Sequence, residues 1–96
     1  FRRVAVETTG LADPAPILYT LLSEPVVRHH FELGAVVATV DAVHGAAQLE
    51  REPVSLKQAA VADRIVVMKT DLAPARDLSA RLARLNPAAE VLAAPG

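Results

Sequence analysis

The chain has 96 residues, a net charge of −1 from 10 lysines and arginines against 11 aspartates and glutamates, and 52% hydrophobic residues. That balance leaves no electrostatic footprint for nucleic acid or an anionic membrane surface. The absence of cysteine excludes disulfides, thiolate metal sites and a cysteine nucleophile within these residues.

A chain of this length buries roughly 60–65% of the surface its unfolded form exposes, so its core is thin. Ala, Val and Leu supply most of the apolar content and only Phe1, Tyr19 and Phe31 are aromatic. Small aliphatic packing between layers favours an α/β arrangement. The longest apolar stretch, Ala35 to Val40, is far short of a membrane span, and the expectation is a soluble, cytoplasmic domain. The start at Phe-Arg-Arg and the finish at Ala-Pro-Gly both read as cuts from something longer.

Val4–Val6 is the first apolar run and reads as a strand. It stops at Glu7, passes Thr8, Thr9 and Gly10, and meets Asp13-Pro14. Asp13 is placed to cap a helix with Pro14 at its first position, ended by Pro25. Ile17, Leu18, Leu21 and Leu22 share one face of that helix, which should cover the sheet, and Tyr19 reads as packing. His29 and His30 are adjacent and point apart in any regular element, so they read as unsuited to chelating one ion.

Ala35–Val40 is the second expected strand, followed by Asp41 and by His44 just past the strand end. His44 is open to two readings, a nucleotide or switch contact and a hydrogen-bonded loop residue. Asp41 to Arg51 is Ala-rich and partly helical in expectation; Pro53 breaks it, and Ser55 caps a short helix through Ala62. Ile65–Met68 is the third strand and runs into Lys69-Thr70-Asp71. Pro74 starts a helix in which Leu78, Leu82 and Leu85 recur, with Arg76, Asp77, Arg81 and Arg84 on a solvated side and Asp77 facing Arg81. Asn86-Pro87 ends it, and Val91–Ala94 is the last strand.

These runs lack polar alternation, which suits strands buried on both faces. The order β-α-β-α-β-α-β predicts an α/β fold: a three-layer parallel sheet with helices on both faces. In such a sheet, ligands bind at the carboxyl ends of the strands. Glu7, Asp41 and Asp71 would share that rim. A strand-end carboxylate can hold a hydrated Mg²⁺ through water, and a glycine lets the backbone approach a terminal phosphate. Asp41 could assist Glu7 around the Mg²⁺ waters or cap the segment after it. A carboxylate at Asp71 can accept from both N1–H and the 2-amino group of guanine, while the Lys69 stem lies along the ring. Adenine offers an acceptor at N1 and no such amine.

ETTGLADP, VDAVH, MKTD and the Asn-Pro before the last strand together resemble the central part of the CobW-like metal-trafficking GTPases, relatives of the urease and hydrogenase nickel-insertion GTPases. The resemblance runs over nearly the whole chain. It implies that residues 1–96 are a central to C-terminal portion of a P-loop GTPase domain, in which Glu7 binds Mg²⁺ through water and Gly10 contacts the γ-phosphate. Thr8 to Pro14, with Thr8, Thr9 and Asp13 as polar members, would be the GTP-sensing switch. Lys69 and Asp71 would read guanine, and Ala94 to Gly96 would begin the last base-contacting loop. The implied ligands are GTP and Mg²⁺, with Zn²⁺, Co²⁺ or Ni²⁺ as cargo for a client metalloprotein. Met68 departs from the family pattern, which usually has Asn there.

No G-x-x-x-x-G-K-[ST] occurs in the sequence. The phosphate-cradling loop is therefore expected upstream of Phe1, and the chain by itself is expected to hydrolyse GTP at background rate. The family's Cys-x-Cys-Cys metal motif is expected upstream as well. Sheet edges left without neighbours would favour self-association. The alternative reading is a flavodoxin-like or receiver-like binding module using the same rim without hydrolysis.

Overall fold

The computed structural model describes residues 3–8 and 13–95. Pro14 at the first helical position, with the Asp13 carboxylate accepting from the Ala15 amide at 2.9 Å, starts α1 (Pro14–Ser23). Pro25 likewise stands at the first position of α2 (Pro25–His30), there without a side-chain cap. The remaining elements are β1 (Val37–Asp41), α3 (Gly45–Arg51), α4 (Pro53–Val61), β2 (Arg64–Met68), α5 (Arg76–Leu85) and β3 (Glu90–Ala93).

The three strands form one parallel sheet in the order β1-β2-β3. Both crossovers step the same way across it, and a common handedness puts their helices on one face. The burial pattern agrees. Ile65 and Val67 of β2 are fully buried and align with Ala38 and Val40 of β1 and with Val91 and Ala93 of β3. Against them pack Leu49 of α3, Ala59 of α4, Ala62, and Leu78 and Leu82 of α5. The second face carries Val37, Thr39, Val66, Met68 and Leu92, of which Val37, Thr39 and Leu92 are exposed. Arg64 and Glu90, register partners on that face, pair at 3.6 Å.

Asp63 fixes the start of the sheet. Its carboxylate accepts from the Val36 amide at 2.7 Å, its own amide donates to the Val36 carbonyl at 2.7 Å, and its carbonyl accepts from the Glu90 amide at 3.1 Å. At the far edge of the core, the buried Asn86 amide donates to the carbonyls of Ala59, Ala60 and Ala62 at 2.9, 3.2 and 2.9 Å. It thereby closes the C-terminal end of α4, whose last carbonyls have no partner within the helix.

Several expectations are corrected. Val4–Val6 is not a strand: Val4 is 58% and Val6 63% exposed, and neither is in the sheet. A β-branched run becomes a strand only where a neighbour completes its ladder. Helix α1 buries no residue and packs on α2 and α4 instead of covering the sheet, and Tyr19 is 74% exposed. Pro53 separates α3 from α4 but also opens α4, with the Ser55 hydroxyl donating to Glu52 at 3.0 Å. Helix α5 begins at Arg76, two residues after Pro74. Arg81 on the solvated face of α5 reaches the exposed Glu50 of α3 at 3.5 Å.

Gly45 opens α3 close against β1 and α5. A Cβ there would lie 2.5 Å from Val40 Cγ1 and 3.1 Å from Leu78 Cδ2. Val40 is β-branched and held in β1, so it cannot step aside by a simple rotation. Gly45→Ala is expected to lower stability by about 1–3 kcal/mol through overpacking, against the gain in helix propensity. Urea unfolding of the full-length protein measures this, and a midpoint equal to or above wild type would show that the Val40 contact yields without cost.

Candidate functional site

The carboxyl ends of β1 and β2 lie side by side, because Asp41 is the register partner of Met68. The ladder continues past the strands: the Ala42 amide donates to the Met68 carbonyl at 2.9 Å and the Ala94 amide to the Val67 carbonyl at 2.8 Å. Lys69-Thr70-Asp71 follows as a turn, closed by the Leu72 amide on the Lys69 carbonyl at 3.0 Å. The Thr70 amide donates to Ala94 at 3.3 Å, tying the turn after β2 to the chain leaving β3. These three exits make one rim.

Lys69 has φ 61°, the one positive value among the described residues other than glycine. That conformation costs a non-glycine residue about 1–2 kcal/mol and tends to persist where function fixes it. The Lys69 ammonium meets the Asp41 carboxylate at 3.0 Å through Oδ2, while Asp41 Oδ1 accepts from the Val43 amide at 2.7 Å. The Lys69 hydrogen bond, and then that of the Val43 amide, hold the Asp41 carboxyl below its ordinary value. Asp41 thus fits the turn-capping reading, and its second oxygen is taken by Lys69. Asp71 lies exposed on the same turn as Lys69.

Two of the three carboxylates expected on one rim, Asp41 and Asp71, are at the ends of paired strands. Glu7 is not: it lies exposed, with Thr8, on the 3–8 segment outside the sheet. Thr9 and Gly10 fall outside the described residues. Asp13 caps α1 and pairs with Lys57 of α4 at 3.0 Å, so its carboxyl is also held low, first by the Ala15 amide and then by Lys57. His29 and His30 sit edge to face with ring centroids 4.9 Å apart. His44 precedes α3, whose Gln48 amide donates to its carbonyl at 3.0 Å. Among the described residues, no three His, Asp or Glu side chains gather within reach of one metal ion, and no helix is long and apolar enough to cross a membrane.

The Lys69 ammonium is held at Asp41 on this rim, and Asp71 follows two residues on in the same turn. The sequence places Lys69 and Asp71 just past a strand end, where the structure has them, but carries no sign of Asp41 as a partner of Lys69, a contact that depends on strand register and on one left-handed residue.

Residues 1–93 match the family model described as the CobW/HypB/UreG nucleotide-binding domain. The zinc chaperone YjiA of Escherichia coli (strain K12) is 44% identical over 92 residues, which is 95% of this chain and 29% of that protein. The crystal structure of the Zn(II)-bound YjiA GTPase from E. coli superposes with a TM-score of 0.81 at 43% identity, covering 85% of this chain and 26% of the other. A Zn(II)-bound triple mutant of the same GTPase gives 0.84 at 42% identity, covering 88% and 27%. The chain therefore spans less than a third of the length of these relatives.

Proposed function

The chain belongs to the CobW/HypB/UreG nucleotide-binding domain family, and from that premise we propose that it is the guanine-reading and switch-bearing portion of a GTPase that couples nucleotide state to delivery of a divalent metal. The observation that carries this reading is the rim itself: Lys69 in a strained left-handed turn, Asp71 beside it, and the β3 exit bonded to that turn. The resemblance of this chain to a zinc chaperone supports zinc as the cargo. Co²⁺ or Ni²⁺ cargo, a cobalamin-biosynthesis role and a cytoplasmic location belong to the same proposal.

In this reading, Asp71 accepts from guanine N1–H and the 2-amino group, and the Lys69 stem lies on the ring. Glu7 would hold Mg²⁺ through water, which would neutralise charge on the transferring phosphoryl group. Gly10 would approach the γ-phosphate, and Thr8, Thr9 and Asp13 would sense it. The loop that cradles the phosphates would come from residues before Phe1, since these residues contain no such motif.

The test is a nucleotide titration of the full-length gene product with GDP and ADP in Mg²⁺ buffer. GDP binding at least about 100-fold tighter than ADP is expected, because a buried mismatch of donors and acceptors discriminates strongly. Equal affinity, or no nucleotide binding, would favour a receiver-like binding module.

A further inference from the structure

We propose that Asp41 is a positioning residue for the base site: it pins the Lys69 side chain along the rim before nucleotide arrives. The inference rests on the reading of Lys69 as a guanine contact and adds the residue that sets it.

Side chains of a strand point to opposite faces in turn. Asp41 and Met68 are register partners, so both face the open side of the sheet. Continued extended backbone would send residue 69 to the opposite, helix-covered side. The left-handed φ of Lys69 breaks the alternation, and its ammonium comes back to Asp41 at 3.0 Å. Strained backbone at this residue therefore has a visible outcome, the ion pair.

Asp41 is itself fixed. One carboxylate oxygen accepts from the Val43 amide at 2.7 Å and the other from Lys69, and its side chain is 21% exposed against 48% for Lys69. The anchor is thus the better-buried partner, tied to the turn before α3, and the lysine is the member left accessible along its stem. A free lysine carries large rotamer entropy, which a ligand must remove to use the stem as a surface. Fixing the ammonium in advance lowers that cost. Met68, the residue before this turn, carries no amide to brace it, and a thioether is only a weak acceptor. Here the bracing comes from the Asp41–Lys69 pair and the Thr70–Ala94 backbone bond.

The experiment is a double-mutant cycle on GDP affinity in the full-length gene product, with Asp41→Asn, Lys69→Ala and the two combined. Asparagine keeps an oxygen for the Val43 amide and removes the charge facing Lys69. Asp41→Asn is expected to weaken GDP binding about 3- to 10-fold in the wild-type background, the cost of ordering one long side chain. With Lys69→Ala already present it is expected to change affinity less than about 2-fold, because coupled residues are non-additive. A merely structural role would give the same factor in both backgrounds, and that result overturns the inference, as does an unchanged affinity in the Asp41→Asn protein. If Lys69→Ala leaves GDP affinity unchanged, the guanine reading of Lys69 falls and this inference with it. If Lys69→Ala weakens binding and Asp41→Asn does not, the inference alone falls. Asp41→Ser, which offers the Val43 amide a different oxygen, carries the same expectation should the asparagine protein fold poorly.

Discussion

Asn86→Ala is expected to lower stability by about 2–4 kcal/mol, more than any surface change in the chain. The side chain is buried and its single amide group serves the carbonyls of Ala59, Ala60 and Ala62. Two N–H bonds satisfy three acceptors, so one is shared. Ala59 and Ala62 are themselves core residues, and truncating Asn86 would leave their carbonyls away from water without a donor. Each such group costs about 1–3 kcal/mol, partly offset where water enters the vacated space. Asn86→Asp gives the sharper comparison. It conserves shape, yet turns the donor into an acceptor facing three other acceptors, and it buries a charge. The aspartate protein is expected to be less stable than the alanine protein at neutral pH. Urea unfolding of the full-length protein, with hydrogen exchange of the α4 and β2 amides, measures both. An aspartate variant as stable as wild type would mean that the amide does not hold the end of α4.

Asn86 also illustrates what the sequence could and could not disclose. Asn-Pro was legible as a helix stop, because proline restricts the residue before it. That the same asparagine closes a different helix, more than 20 positions earlier, is a tertiary fact with no local signature. The parallel α/β order and the interior face of α5 were readable because buried strands carry unbroken β-branched runs and Leu78 and Leu82 recur at helical spacing. Val4–Val6 has the same composition and is unpaired, since composition reports suitability for a sheet and not the presence of a neighbour. The expected packing of Tyr19 failed for a related reason: α1 leans on α2 and α4, not on the sheet. At the rim, Lys69 and Asp71 were legible from residue type and position. The Asp41 contact was not, because it needs both the β1–β2 register and a left-handed lysine.

Asp71→Asn is expected to weaken GDP binding by about 100-fold or more and to raise binding of the xanthine nucleotide XDP above that of GDP. A carboxylate offers acceptors to both guanine donors, and hydrogen bonds to charged groups are worth about 1.5–3 kcal/mol each. Asparagine keeps one acceptor but turns the other position into a donor, which then faces a donor on the base. Xanthine carries a carbonyl where guanine has its 2-amino group, so the swapped pattern matches again. The substitution keeps the size of the side chain, and Asp71 is exposed on the turn before α5. Titration of the full-length gene product and its Asp71→Asn variant with GDP, XDP and ADP separates the outcomes. A matched fall in affinity for all three would make Asp71 a residue of loop structure. A reversal between GDP and XDP is a change that only a side chain in contact with the base can produce, and retention of wild-type GDP affinity would remove Asp71 from the base site altogether.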